Sequence, residues 1–166
     1  VPARHQKNGG FLFLRARLLE RQQQLGDARA LYERLVSLAP DNPQFHLGLG
    51  RVLKAEGNQN AAEMQVRRAL ALEPFLPEAE YLLAMILLSS GRYDAAASVA
   101  QKLVSGSPTF AKGWELLAAA LQRAGNLEAA VDACRSGCQQ CPQHPRLHYA
   151  LGQLLREQCD FDLAAI

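Results

Sequence analysis

The sequence lacks the features of a membrane protein and of a dedicated nucleic-acid-binding protein. No apolar run approaches the ~20 residues that a membrane-spanning helix needs. The net charge of +2 is too small for the dense basic surface typical of nucleic-acid binding. Hydrophobic residues make up 49% of the chain, which excludes disorder caused by a shortage of core-forming side chains. We therefore expect a folded domain with no nucleic-acid partner and no membrane span.

Cysteine is confined to the last third of the chain, at Cys134, Cys138, Cys141 and Cys159. A disulfide framework would normally be spread over a small secreted chain, so this distribution favours reduced thiols and a cytoplasmic protein. No signal peptide is visible. Because the chain starts at Val1 and ends at Ile166 inside a helical pattern, we interpret it as a fragment, in which a missing targeting segment carries no information.

Signatures of catalysis are also missing. The sequence contains no nucleophile elbow, no phosphate-binding loop and no HExxH motif. Gly48 and Gly50 form a Gly-x-Gly, but it lies inside a predicted helix and cannot cradle a phosphate. The recurring acidic residues near second-helix starts or on outer faces indicate caps or solvated charges and not an acid–base pair: Asp94, Asp132 and Asp160. We expect no catalytic residue and no cofactor in this chain.

What the sequence does contain is a repeat of fixed length. Pro40, Pro74, Pro108 and Pro142 follow one another at intervals of 34 residues. A fixed period of this size indicates an array of stacked supersecondary units. Within it, residues no larger than alanine recur at two places where helices would approach closely. At the first place they are Gly50, Ala84, Ala118 and Gly152, and at the second Ala28, Ala62, Ala96, Ala130 and Ala164.

The other recurring residues mark where the helices begin and end. Gly57, Gly91 and Gly125 follow the last apolar residue of a first helix, where a left-handed cap suits glycine. The prolines of the 34-residue interval end the second helices, because proline lacks an N–H and disfavours helix in the preceding residue. The prolines that open the next first helix are Pro43, Pro77 and Pro145.

One stretch combines these residues with the bulky ones of a known pattern. Between Lys112 and Pro142 the order is Trp114, Leu117, Ala118, Leu121, Gly125, Ala130 and Cys134. In the length of its repeat, in its recurring small residues and in its recurring proline, the chain resembles the tetratricopeptide repeat (TPR) family over essentially its whole length. The resemblance implies an all-α fold, a right-handed superhelical solenoid of stacked antiparallel helix pairs. We expect roughly nine to ten helices of about 13 residues each.

The repeat boundaries follow from this register. Residues 1–8 form a polar lead-in, and residues 9–166 form the array. Its repeats run over about 9–42, 43–76, 77–110, 111–144 and 145–166, and the last is truncated partway along a second helix in the segment from Phe161 to Ile166.

The resemblance also implies a binding surface, because in TPR proteins the first helix of each repeat lines a concave groove. By register, the residues facing the groove are Arg17, Arg21, Leu47, Arg51, Lys54, Tyr81, Met85, Leu88, Lys112, Glu115, Arg123, Tyr149, Gln153 and Arg156. The predicted groove has basic ends and an apolar middle. It suits a protein or peptide in which acidic groups flank apolar anchors. The alternative for the same residues is a solvated inner face without a ligand.

Two functions from different classes fit such an array. The first is a non-catalytic scaffold that binds a protein or peptide segment in the groove. The alternative is the substrate-recognition arm of a larger transferase, similar to the arrays of O-GlcNAc transferases or TPR sulfotransferases, which residues 155–161 faintly resemble. A clamp for the C-terminal carboxylate of chaperones is not expected, because the positions for its asparagines hold Arg17, Gly48, Arg51 and Leu82.

A zinc-like spacing near the C-terminus needs a separate interpretation. Three cysteines and two histidines follow one another as C-x3-C-x2-C-x2-H-x3-H, which could close a tetrahedral site: Cys134, Cys138, Cys141, His144 and His148. By register, however, Cys134 and Cys138 replace packing residues of other repeats, and His148 replaces His46 and Trp114. We therefore expect packing roles and no metal, with only Cys141 and His144 pointing outward.

Overall fold

The computed structural model describes the backbone of residues 3–164 and the side-chain surroundings of residues 9–159. Within that range the chain is all-α. It forms nine helices, namely α1 (Ala3–Arg21), α2 (Leu25–Leu38), α3 (Pro43–Ala55), α4 (Gln59–Leu72), α5 (Pro77–Ser89), α6 (Tyr93–Gly106), α7 (Ala111–Arg123), α8 (Leu127–Gln140) and α9 (Pro145–Ala164). Helices α2 to α8 have 13 or 14 residues, in agreement with the expected helix length.

The chain divides into two compact units, Val1–Leu82 and Leu83–Ile166, with the boundary inside α5. In the first unit, α1 packs on α2, α2 on α3 and α3 on α4, while α1 also contacts α3. In the second unit, α6 packs on α7, α7 on α8 and α8 on α9, while α7 also contacts α9. Short turns make successive helices antiparallel, so the first helices of adjacent repeats lie side by side within each unit.

The turn inside each repeat uses a residue with positive φ. Gly57, Gly91 and Gly125 have φ values of 86°, 74° and 84°, which confirms the predicted left-handed caps. In the first repeat the equivalent residue, 34 places before Gly57, is Gln23, with φ of 61°. A side chain in this conformation costs energy that glycine does not, so the first turn is strained.

The turn that joins one repeat to the next is held by hydrogen bonds from residues at the start of the following first helix. In α3, the Asn42 side chain accepts a hydrogen bond from the Gln44 N–H at 3.0 Å. An aromatic ring nitrogen then bonds the carbonyl of the repeat proline six residues earlier. The pairs are His46 Nε2 with Pro40 at 2.8 Å, Trp114 Nε1 with Pro108 at 2.7 Å, and His148 Nε2 with Pro142 at 3.0 Å. His148 was expected to pack between helices, but its side chain is exposed and its hydrogen bond instead fixes the turn between repeats.

Small residues allow the close helix packing that the register predicted. Ala28, Ala62, Ala96 and Ala130 are completely buried. A Cβ on Gly50 would lie 2.7 Å from Val66 Cγ2, closer than side chains tolerate, so α3 and α4 need glycine there. A Cβ on Gly48 would overlap the Tyr32 ring on α2.

Both ends of the array differ from the expectation. Helix α1 begins at Ala3, inside the segment 1–8 that the sequence interpretation set apart. Helix α9 continues without a turn from Pro145 to Ala164, so the expected second helix of the last repeat is not formed over the described backbone. Cys159 stands where three of the other repeats have a cap glycine, and a helical conformation there avoids the positive φ that Gln23 adopts at a cost in the first repeat. Consequently Gly152 is exposed and packs against no second helix, while the side chain of Ala164 lies outside the described residues.

Candidate functional site

In the first unit, a polar network joins two first helices on the predicted groove side. Arg51 of α3 donates from Nε to Oε1 of Glu20 at 2.7 Å and from Nη2 to Oε2 at 2.9 Å. The Tyr32 hydroxyl of α2 donates to Oε2 of the same carboxylate at 3.0 Å. Glu20 thus holds three donors from two other helices, and Arg51, which the register placed in the groove, is already occupied.

The network changes the acid–base behaviour of its members. Burial, and then the nearby negative charge of Glu20, raise the pKa of Tyr32 to about 12. The hydrogen bonds with Glu20 raise the pKa of Arg51 above its ordinary value. Both groups keep their protons near neutral pH, so this part of the surface is a fixed structural element.

Arg17 and Arg21 on α1 differ from Arg51. Both side chains are exposed. The Arg17 guanidinium lies over the Phe13 ring, 5.9 Å from its centroid, in a cation–π contact. Neither arginine forms an ion pair with another described residue, so both can accept a partner's carboxylate. They are the available cations among the predicted groove residues of α1.

The other predicted groove residues of the first unit vary in exposure. Leu47 is only 2% exposed and belongs to the core, so it offers no open surface to a ligand. Lys54 and Tyr81 are half-buried. The register placed Leu47 on the groove, but the structure buries this side chain in the packing between helices.

An apolar cavity of about 590 Å³ lies in the same unit, where the first turns of α3 meet α1 and the end of α2. Its lining residues are Gly9, Gly10, Phe13, Leu35, Leu38, Ala39, Asn42, Gln44 and Phe45. The sequence interpretation did not predict this cavity. The available signal was Phe45, whose register equivalents in the three later repeats are smaller: Ala79, Gly113 and Leu147.

In the second unit, a carboxylate of α7 faces an imidazole and a guanidinium. Glu115 Oε1 lies 3.3 Å from His144 Nδ1, and Glu115 Oε2 lies 3.8 Å from Nε of the exposed Arg146. The facing Oε1 and Nδ1 atoms are buried and their geometry is not that of a hydrogen bond, so they form a loose polar contact. Glu115 is therefore half-buried and in contact with residues of its own unit.

A small cleft of about 90 Å³ between α7 and α9 lies beside Glu115. Its edges carry Gln122, which donates to Glu157 Oε2 at 2.6 Å, and Gln153, which donates to the Tyr149 hydroxyl at 2.8 Å. The cleft brings together Glu115 and Gln153 of the predicted groove residues. The remaining predicted residues of this unit are exposed or half-buried along the first helices and not part of the cleft: Met85, Leu88, Lys112, Arg123 and Arg156.

The cysteines with zinc-like spacing are packing groups. Cys134 is completely buried, and burial raises the pKa of its thiol to about 11, far from the thiolate that a metal needs. Burial also raises the pKa of Cys138. Cys141 and His144 were expected to point outward, but both are half-buried, with Cys141 Sγ 3.5 Å from the Thr109 carbonyl oxygen. Over residues 9–159, no three His, Cys, Asp or Glu side chains gather as a metal site.

Comparison with known proteins agrees with this architecture. The family model described as the middle TPR-like domain of cilia and flagella-associated protein 70 matches residues 12–142, which is most of the chain. The chain belongs to this TPR-like family. The predicted all-α TPR solenoid is confirmed. None of the helices in the described part of this TPR chain has the length and apolar character needed to cross a bilayer.

Solved TPR structures show the same fold at low sequence identity. MamA from Desulfovibrio magneticus RS-1 is similar with a TM-score of 0.81 and 21% identity, over 95% of this chain and 89% of that chain. YrrB, described as a TPR protein with an unusual peptide-binding site, gives a TM-score of 0.73 and 20% identity, over 89% and 76% of the two chains. A thermophilic TPR protein of Thermus thermophilus gives 0.73 and 17%, over 90% and 82%. No curated protein sequence matches the chain.

Proposed function

We propose that this TPR chain is a non-catalytic interaction module that binds a segment of a partner protein along its first helices. The fold and the family support this assignment, since a TPR solenoid exposes a row of first helices to partners. YrrB, a structural neighbour, is described as having a peptide-binding site. The transferase-arm alternative stays a prediction from residues 155–161, some of whose side chains lie outside the described range.

The observation that carries the proposal is a pair of exposed arginines on the predicted groove side of α1. Arg17 and Arg21 are exposed, one helical turn apart, and free of ion pairs with the other described residues. The neighbouring Arg51 is paired with Glu20. It therefore makes the site more rigid but offers no free charge to a ligand. A partner segment with carboxylates would satisfy both free arginines, and its desolvation cost is small at this exposed site.

Selection of peptides from a library of random dodecapeptides displayed on phage tests the proposal. We expect the wild-type chain to enrich peptides rich in Asp and Glu. The double variant Arg17→Glu/Arg21→Glu should lose at least about tenfold in capture of that pool, because the variant repels the carboxylates.

The matched control is Arg15→Glu/Arg34→Glu, which changes the net charge by the same amount at two other exposed arginines of the first unit. Capture by this control should remain close to that of the wild type. If both double variants lose capture equally, the effect comes from net charge alone. If neither loses capture, the site is not on this face of α1; either result would refute the proposal.

A further inference from the structure

The apolar cavity of the first unit has the size and shape of a ligand site. Its volume of about 590 Å³ falls within the range of pockets that hold small molecules or side chains. The Phe13 ring of α1 and the Phe45 ring of α3 form one wall, with centroids 5.4 Å apart and planes tilted by 48°. The buried Leu35 forms the floor, and Leu38, which is 52% exposed, stands at the rim.

Two glycines leave the cavity open on the α1 side. A Cβ added at Gly9 or Gly10 would meet no atom within 4 Å, so the space beside them is empty. Apolar walls left in contact with water cost roughly 25 cal/mol per Å² relative to burial, and an apolar occupant would recover this free energy. The Asn42 side chain on the lining already accepts the Gln44 N–H, so the interior offers little to a charged group.

Phe13 links the cavity to the exposed arginines of α1, because it lines the cavity and contacts Arg17. Arg17 lies one helical turn beyond Phe13 and stacks on its ring, and Arg21 lies one turn further. With a rise of 1.5 Å per residue, they lie about 6 and 12 Å along the helix from the cavity. An extended peptide covers these distances in about two and four residues.

We propose that the cavity binds one bulky aromatic or aliphatic anchor of an extended partner segment, whose carboxylates about two and four residues away pair with Arg17 and Arg21. This inference rests on the proposed function and adds to it the position of the anchor and the spacing of the ligand. We take the occupant to be a peptide segment of another protein, because an apolar cavity beside exposed arginines complements a segment that carries both an apolar side chain and carboxylates.

Filling the cavity tests the anchor separately from the charges. Gly10→Leu adds a bulky side chain at a residue that lines the cavity, and a helical leucine should not destabilise α1 relative to glycine. The control variant is Gly26→Leu in α2. Gly26 is also an exposed helical glycine, and a Cβ added there would meet no atom within 4 Å. A second pair of variants tests the anchor without filling the cavity. Leu38→Ser changes the rim, and its control Met64→Ser changes an apolar residue of α4 that is also exposed, at 62% against 52% for Leu38.

The same phage selection then gives the decisive readout, with the helical content of each variant checked by circular dichroism. We expect enriched peptides to carry an apolar residue two to four positions from acidic ones. Gly10→Leu and Leu38→Ser should each lower capture at least about fivefold, while Gly26→Leu and Met64→Ser leave it unchanged.

The outcomes separate the two proposals. Capture that depends on Arg17 and Arg21 but survives Gly10→Leu and Leu38→Ser would overturn the anchor cavity and leave the proposed function standing. Enriched acidic peptides without an apolar residue at that spacing would also overturn it. Absence of any enrichment, or capture insensitive to Arg17→Glu/Arg21→Glu, would overturn the proposed function as well.

Discussion

Arg51 and Glu20 form a two-point ion pair that joins α3 to α1, with N–O distances of 2.7 and 2.9 Å and side chains that are 37% and 21% exposed. Arg51 is therefore a structural residue of the first unit. Replacement by glutamine leaves the half-buried Glu20 without its strongest partner. We expect Arg51→Gln to lower the free energy of unfolding by about 1–2 kcal/mol in urea denaturation.

The control for this measurement is Arg68→Gln. Arg68 lies 3.8 Å from Asp41, and the two side chains are 53% and 85% exposed. Its loss should change stability by no more than about 0.5 kcal/mol, as for other surface pairs. Equal effects of the two substitutions would show that Arg51 contributes no more than a surface charge.

Tyr32 should make the chain less stable at alkaline pH. Its pKa is about 12 in the folded chain and 10.0 in the unfolded reference, so the folded state binds more protons between these values. The contribution is fully present below pH 10 and is lost as pH rises through 12, by at most about 2–3 kcal/mol. Urea titrations of Tyr32→Phe should show a smaller alkaline loss than those of the exposed control Tyr149→Phe. Identical pH profiles of the two variants would contradict the burial of the Tyr32 hydroxyl against Glu20.

The comparison of sequence with structure is clearest at two arginines in the same register. Arg17 and Arg51 are 34 residues apart, and the repeat pattern assigns them the same role. In the structure, Arg51 is paired and Arg17 lies over Phe13, because Glu20 on the preceding first helix reaches Arg51. Such pairing depends on neighbouring helices in space, which the 34-residue period does not specify.

Local features could be predicted from the sequence at positions where the residue type has a single physical explanation. The positive φ of Gly91 and the burial of Ala62 follow directly from their recurrence. The cavity was not predicted, because side chains from three helices enclose it and the one signal, the large side chain of Phe45, does not by itself indicate an open space. The absence of a turn within α9 has a signal in the sequence at Cys159, where a cap glycine is missing.

Gln23 should be a site of stabilisation. It has a φ of 61° and an exposed side chain, so replacement by glycine removes strain and loses few contacts. We expect Gln23→Gly to raise the unfolding free energy of the chain by about 1 kcal/mol. The reverse change at the equivalent turn, Gly57→Ala, should lower it by a similar amount. Thermal and urea unfolding measure both, and a destabilised Gln23→Gly would show that the side chain makes contacts that outweigh the strain.

Gly48 should be among the least tolerant glycines of the first unit. A methyl group there would overlap the ring of Tyr32, which is completely buried and hydrogen-bonded to Glu20 and so cannot move aside. Gly48→Ala should therefore destabilise by about 1–3 kcal/mol, as for other overpacked sites. Gly26→Ala, where the new methyl meets nothing within 4 Å, should be neutral or stabilising by up to about 1 kcal/mol. A neutral Gly48→Ala in urea denaturation would mean that α2 and α3 are less closely packed.

The most direct test of the central claim is a map of backbone amide chemical shifts during titration of the isotope-labelled chain with a selected acidic peptide. We expect the shifts to concentrate on residues 9–21 of α1 and on the first turns of α3, around Phe13, Arg17 and Phe45. The Arg17→Glu/Arg21→Glu variant should show no such shifts. Shifts confined to the exposed faces of α2 and α4 would contradict binding along the first helices, because they would place the partner elsewhere.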